Sequence, residues 1–362
     1  MTDVAIVVGT RPEIIKMAPV IRALKERDED FVFVHTGQHY DYEMSRCFIE
    51  ELELPEPKYG LKLERRNPPS QIGEMMLKLE HVLIKEKPKL VLVQGDTNST
   101  LASALTALKL NIPVGHVEAG LRSFDWRMPE EHNRIMVDHI SELLFAPTST
   151  ARENLVRERV HGKVYVTGNT VVDAVLQHMP MAERKSRIMK LVKFSKYALV
   201  TVHRAENVDD PIVLKSFVEA FLRSRAPIVF PIHPRTAKRL KQFKLYDKLA
   251  SAEHIQLMPP VSYFDMLVLM KNCEVIMTDS GGLQEEATVP CIRKPVLVLR
   301  LSTERPEAVE AGFARVVGVK TETILKNLRE VMERELKLPP TSPFGDGRSG
   351  ERIAKLSLEF IK

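Results

Sequence analysis

Eleven short apolar runs rich in β-branched residues alternate with longer stretches of helical periodicity along almost the whole of this chain. The first half offers Val4–Val8, Phe31–His35, Leu90–Val93, Val114–Val117, Leu143–Ala146 and Val164–Thr167. The second half offers Ala198–Val202, Ile228–Ile232, Ile255–Met258, Val275–Met277 and Val296–Leu299. Runs that are apolar throughout, rather than alternating, predict strands covered on both faces, and intervening helices predict parallel pairing. Two such sets in 362 residues predict two doubly wound α/β domains. The pattern changes hands near Gly168-Asn169-Thr170, with a linking helix expected from Val171, and the glycines of Gly345-Asp346-Gly347-Arg348-Ser349-Gly350 precede a last short helix.

Open parallel sheets bind ligands beyond the carboxyl ends of their strands. Eight polar loops of this chain fall at those ends. In the first half they are Gly9-Thr10-Arg11-Pro12-Glu13, Gly37-Gln38-His39, Gln94-Gly95-Asp96-Thr97 and His116-Val117-Glu118-Ala119-Gly120. In the second half they are His203-Arg204, His233-Pro234-Arg235, Asp279-Ser280-Gly281-Gly282 and Thr303-Glu304-Arg305-Pro306-Glu307. Together they describe a cleft between two domains.

The stretch Asp279–Glu286 is the most specific. A strand enters it, two adjacent glycines let a backbone approach a ligand, and a helix start presents N–H groups and positive dipole to an anion such as a diphosphate. Glu285 and Glu286 follow in the first turn, where a carboxylate can take the hydroxyls of a ribose; as an ordinary capped turn the stretch would need none of this. Arg11 and Lys16 flank a helix start with Pro12 at its first position and can reach an anion. Asp96 follows Gly95 at a strand end, and Thr97, Asn98 and Ser99 can each cap the next helix, which leaves Asp96 for chemistry. Glu118 stands among apolar neighbours, a costly place for a carboxylate unless paired or used, with Arg122 four residues on as its expected ion-pair partner. Pro129-Glu130-Glu131 opens another helix; at most one of its two acids need face the cleft, and the other is expected as a solvated first-turn acid. Clustered carboxylates in an enclosed site shift one another's proton affinity and suit general acid–base work. His203-Arg204 and His233-Arg235 make the second side basic, which suits phosphate.

A formal charge of +5 is mild for this length; it does not indicate a nucleic-acid partner and fits an anionic small molecule. Three widely spaced cysteines carry no metal-ligand pattern, and Cys273 and Cys291 sit among apolar residues as expected buried thiols of a reducing cytosol. The sequence offers no signal peptide or membrane span, and the acidic string Asp28-Glu29-Asp30 lies at the wrong sheet edge for a metal site. No Gly-x-Gly-x-x-Gly turn follows either first strand, which argues against NAD or FAD.

In this order and spacing, the blocks resemble the non-hydrolysing UDP-N-acetylglucosamine 2-epimerases from Gly9-Thr10-Arg11-Pro12-Glu13 to Gly345-Asp346-Gly347, essentially the whole chain. The resemblance implies a GT-B-type α/β architecture with two Rossmann-like domains facing a central cleft. The first would span residues 1–169 joined by the C-terminal helix 346–362, and the second, UDP-binding domain residues 170–345. It implies a cytoplasmic homodimer without cofactor or metal that interconverts UDP-GlcNAc and UDP-ManNAc by expelling UDP to leave 2-acetamidoglucal and adding it back. It implies Asp96, Glu118 and Glu130 as catalytic carboxylates and His203 as the histidine near the diphosphate. Arg11, Lys16, Ser280, Gly281 and Gly282 would hold phosphates, Glu286 the ribose, and Arg305 would support them, with uracil read near Tyr263–Met266. Gln38, His39 and His233 match a second, activating UDP-GlcNAc site, although Ala205 and Tyr40-Asp41 depart from the pattern there. The same blocks leave a hydrolysing epimerase, a GT-B glycosyltransferase and a non-enzymatic UDP-sugar regulator as rivals.

Overall fold

The computed structural model describes residues 2–38, 42–64, 67–333 and 336–362, with the backbone alone for 42–45. His39, Tyr40 and Asp41 lie outside the described residues. The chain forms two compact units: Met1–Ala174 with Phe344–Lys362, and Val175–Pro343.

Among the described residues, the first unit carries seven parallel strands: β1 (Val4–Val8), β2 (Phe31–His35), β3 (Tyr59–Gly60), β4 (Leu90–Gln94), β5 (Val114–Val117), β6 (Leu143–Ala146) and β7 (Lys163–Val166). They lie in the order β3-β2-β1-β4-β5-β6-β7. The second unit repeats the plan with β8 (Ala198–Thr201), β9 (Ile228–Pro231), β10 (Ile255–Met258), β11 (Val275–Thr278), β12 (Val296–Val298) and β13 (Ala314–Val316), ordered β10-β9-β8-β11-β12-β13. In each unit the order reverses beside the first strand, between β1 and β4 and between β8 and β11. These are the topological switch points where crossovers leave in opposite directions and open a crevice. Val4, Ala5, Ile6, Val91, Leu92 and Val93 are almost completely buried, as continuous apolar strands between two helical layers must be. In the second unit Phe217, Phe221 and Phe230 fill the core, with Phe221 edge-on to Phe230.

Two expected details differ. The expected strands are present within a residue or two, but the edge strands β3 and β13 escape a reading based on apolar runs, being two and three residues long. Cys273 is buried, and burial pushes its thiol up to about 12, whereas Cys291 is only half-buried. The final helix, Ser349–Ile361, belongs to the first unit. There Gly350 lies so close to Pro19 of the helix Arg11–Lys25 that a Cβ would sit 2.7 Å from it. Among the described residues no helix is long and apolar enough to cross a membrane.

Candidate active site

In the first unit the polar residues gather where β1, β4 and β5 end. Glu118, immediately after β5, adopts φ = +71°. That backbone region is sparsely used by residues with a Cβ and costs about 1–3 kcal/mol, so it persists where the surroundings enforce it. The N–H groups of Glu118 and Ala119 both donate to the Phe145 carbonyl, at 3.1 and 3.2 Å, which holds the turn. The Glu118 side chain is 5 % exposed; Lys16 Nζ lies 2.6 Å from its Oε1, and Gln94 Nε2 donates to its Oε2. Asn169 Nδ2 stands 3.4 Å from Oε1. Lys16, expected on a phosphate, is thus the counter-ion of Glu118. Arg122, the expected partner, is elsewhere: its guanidinium pairs with Asp138 at 2.8 Å and Glu158 at 2.6 Å. Glu118 and Gly120 (φ = +83°) turn the chain away from strand geometry before Arg122, so nearness in sequence does not become nearness in space.

Asp96 is half-buried, and its Oδ2 takes both Arg134 Nε and Nη2 at 2.9 Å. Thr97 caps the next helix, Asn98–Lys109, accepting from the Thr100 N–H, so the Asp96 carboxylate is spared that task. Asn133 Nδ2 fixes the Asp96 carbonyl at 2.9 Å. Behind these loops lies Glu13, which is 2 % exposed. Its Oε2 accepts from the N–H groups of Gly9 and Thr10, both at 2.6 Å, and its Oε1 from the hydroxyls of Thr97 at 2.6 Å and Thr100 at 3.0 Å. One carboxylate therefore binds the β1 loop to the β4 loop across the switch point. Gly9 is required in the same place, because a Cβ would fall 1.9 Å from Ser99 Oγ. Burial pushes the Glu13 carboxyl up, against the pull of its donors.

The two acids that open the helix Pro129–His139 separate, but the expected solvated one is buried. Glu130 is exposed. Glu131 is 1 % exposed and accepts from the N–H groups of Ser123 and Phe124 at 2.9 Å, as well as from Arg134. Burial opposes ionisation of Glu131, yet those N–H groups and the Arg134 charge outweigh it and hold the carboxyl below its ordinary value. Gln38 is likewise committed, its Oε1 accepting from Ser99 N and Oγ at 2.8 Å. Arg11 lies over the Phe48 ring at 5.5 Å.

In the second unit, Asp279 at the end of β11 is fully buried and organises the loop after β8. It accepts from the N–H groups of His203 at 3.1 Å and Arg204 at 3.0 Å, and from Asn207 Nδ2 at 3.0 Å. Ser280 stands at the N-cap of the helix Gly281–Glu286. A Cβ on Gly281 would meet the guanidinium atoms of Arg305 at 3.8 Å and of Arg204 at 3.9 Å, so two cations converge on that helix start. Gly282 follows in the first turn, but the expected first-turn acids lie further on: Glu285 and Glu286 are the last two residues of this six-residue helix, and Glu286 is half-buried. Arg305 is oriented by buried Glu285. Glu304 lies 2.5 Å from Arg300 and 3.4 Å from Arg204. Its burial raises the carboxyl, but the Arg300 hydrogen bond and the charges of Arg204, Arg300 and Arg305 bring it down to about 2. His203 Nδ1 is 3.4 Å from Asp279, and its ring faces that of His233 at 5.6 Å. His233 is exposed and caps the helix Pro234–Gln242, while Arg235 is drawn to Asp209. Met266 is half-buried in the first turn of the helix Tyr263–Asn272.

The family model described as UDP-N-acetylglucosamine 2-epimerase matches residues 22–357. This chain belongs to that family. It is 48 % identical over 361 residues to the UDP-N-acetylglucosamine 2-epimerase of Methanocaldococcus jannaschii, covering 97 % of this chain and 98 % of the relative. A crystal structure of that enzyme in complex with UDP-GlcNAc and UDP superposes with a TM-score of 0.88, covering 98 % of this chain and 99 % of its own. The Neisseria meningitidis UDP-GlcNAc 2-epimerase bound to UDP-GlcNAc superposes with a TM-score of 0.87 at 35 % identity, covering 99 % of this chain and all of its own. A Pseudomonas aeruginosa relative, UDP-2,3-diacetamido-2,3-dideoxy-D-glucuronate 2-epimerase, is 39 % identical over 356 residues, covering 96 % of this chain and 97 % of itself. The Rossmann-like units are those of the GT-B-type fold of these epimerases. Gln94, Asn169 and Arg134 escape a reading by isolated motifs, since each meets its partner through the fold, whereas Arg204 was legible as half of the basic His203-Arg204 pair. Glu13 left a local signal too, as the acid three residues after Thr10 in a capping box.

Proposed function

We propose that this chain is a non-hydrolysing UDP-N-acetylglucosamine 2-epimerase that interconverts UDP-GlcNAc and UDP-ManNAc. The observation that carries the reading is Glu118, buried at the end of β5 beside the switch point of the first unit, held in a strained backbone conformation and ion-paired to Lys16. A sugar C2–H is not adjacent to a carbonyl, so its removal needs a developing positive charge at C1. Breaking the C1–O bond supplies that charge, with the electron pair leaving on the β-phosphate oxygen of UDP. A carboxylate takes the C2 proton, the C–H pair becomes the C1=C2 bond of 2-acetamidoglucal, and no electrons are gained or lost. In return, the UDP oxygen adds to C1 while a carboxylic acid delivers a proton to the opposite face of C2. Two proton-transfer groups are needed, and Asp96, Glu118 and Glu130 are the candidates. Arg204 and Arg305, with the N–H groups of Gly281 and Gly282, suit the charge on the departing diphosphate. Arg11, His203 and Ser280 complete the anion contacts, and Glu286 takes the ribose hydroxyls. A cytosolic homodimer belongs to the same reading, since nucleotide sugars and free thiols both suit that compartment.

Proton NMR of the purified protein with UDP-GlcNAc in D2O tests it. The expected result is deuterium at C2, with both UDP-sugars approaching equilibrium and no accumulation of free sugar. Free ManNAc with stoichiometric UDP would make the chain a hydrolysing epimerase. An inert UDP-GlcNAc, with turnover of UDP-2,3-diacetamido-2,3-dideoxyglucuronate, would move the substrate to that of the Pseudomonas relative.

A further inference from the structure

His116 lies on β5 two residues before Glu118 and is fully buried. Both of its ring nitrogens face oxygen. Nε2 is 2.8 Å from the Gly95 carbonyl and Nδ1 is 2.7 Å from Asp138 Oδ1. A carbonyl oxygen has no proton to give, so Nε2 donates. Asp138 Oδ2 already receives the Gly120 N–H at 3.1 Å and lies 2.8 Å from Arg122 Nη2. Asp138 thus already accepts from the Gly120 N–H and the Arg122 guanidinium, and as an acceptor it receives the Nδ1 proton too.

We propose that His116 is a positioning residue for epimerisation: it donates from both ring nitrogens and clamps the peptide that precedes Asp96. The proposal rests on the epimerase reading. The Gly95 carbonyl belongs to the peptide that leads into Asp96, and Gly95 itself has φ = +77°. The clamp fixes that peptide from one side, while Asn133 holds the Asp96 carbonyl and Arg134 its carboxylate. His116 touches no reacting atom in this account and acts through Asp96. The charged groups around it form an alternating series. Asp138 comes from the helix Pro129–His139 and Arg122 from the loop after β5. Behind Arg122 stands Glu158, with His139 Nε2 3.6 Å from it. Each charge in that series meets an opposite one, so a doubly protonated ring is compensated inside the fold.

Two substitutions separate the two halves of the clamp. His116→Gln can place an amide nitrogen where Nε2 stands and keep the Gly95 contact. His116→Asn can place one where Nδ1 stands and keep only the Asp138 contact. The expected result is that the Asn variant loses about tenfold or more in kcat with KM little changed, and that the Gln variant recovers most of it. Thermal melts of both variants accompany the kinetics. Equal kcat in the two variants, or losses that track melting temperature alone, would overturn the proposal. In the unsubstituted protein, 15N-histidine NMR at neutral pH needs no variant; two ring N–H signals for His116 are expected, and one bare ring nitrogen would overturn the proposal. The substrate is first established with the unsubstituted protein in D2O, so failure of the epimerase reading registers there and failure of the clamp registers in the variants and the ring spectrum.

Discussion

Replacing Glu13 tests how the two loops of the first unit are held together. Its carboxylate takes four donors, two backbone N–H groups and two hydroxyls. In Glu13→Gln, the amide oxygen can keep Gly9 and Thr10 while its nitrogen faces Thr97 and Thr100. Thr100 can donate instead to the Gln94 carbonyl, already 2.7 Å away, and accept from the amide. The variant then loses charge assistance and little else, about 1 kcal/mol. Glu13→Ala strands the two buried N–H groups, each worth about 1–3 kcal/mol when unsatisfied, and relieves the cost of burying a charge. The net loss should be about 3 kcal/mol. For a unit of about 190 residues this lowers its melting temperature by about 6–12 °C, against about 2–4 °C for Gln. Calorimetry at pH 8 and pH 5 is the assay. Burial raises this carboxyl, so the unfolded chain releases the proton first, and the folded unit loses stability as pH rises from 4.5 through the raised value. Glu13→Gln should lose that part of the pH dependence. An alanine variant no less stable than the glutamine one at both pH values would refute the reasoning.

Two further outcomes follow from pairings described above. Lys16→Met removes the cation from Glu118 at nearly constant side-chain length; steady-state kinetics should show kcat down by about 30-fold, a cost of about 2 kcal/mol, with KM changed by less than about threefold. A raised KM with intact kcat would return Lys16 to the phosphate. Glu304 has its carboxyl depressed from 4.5 to about 2, so its contribution, on the order of 3 kcal/mol, is present above pH 4.5 and fades as pH falls towards 2. Denaturant titrations of Glu304→Gln against the parent should therefore differ at pH 7 and converge near pH 2; a gap that persists at low pH would point to packing as the cause.

How far the sequence reached can be seen at particular residues. Apolar runs reveal strands that are buried on both faces, so β1, β2, β5 and β6 were legible to the residue, and the half-buried edge strand β10 was legible because Ile255, Leu257 and Met258 still make a run. The brief edge strands β3 and β13 were not, because they have too few residues to make a run. Polar residues at strand ends were legible as a group, since parallel topology puts those ends on one edge. Their pairings were not. Lys16 and Glu118 are 102 residues apart, and Asp96 and Arg134 are 38 apart. Glu131 shows the limit most plainly. A first-turn acid reads as solvated, yet the loop at Ser123 and Phe124 folds back to give it two N–H donors. Only the path of the intervening chain decides that.

The first unit is discontinuous in sequence, and this bears on how the protein is made. Its last helix, Ser349–Ile361, packs against the helix that begins at Arg11, and Asp173 accepts the Gly350 N–H at 2.8 Å. The two sides of that hydrogen bond are 177 residues apart in sequence, with the whole second unit between them. The second unit, continuous from Val175 to Pro343, can close its core with no residue from outside that span. The first unit cannot: one face of its helix Arg11–Lys25 stays uncovered until the helix Ser349–Ile361 has been made.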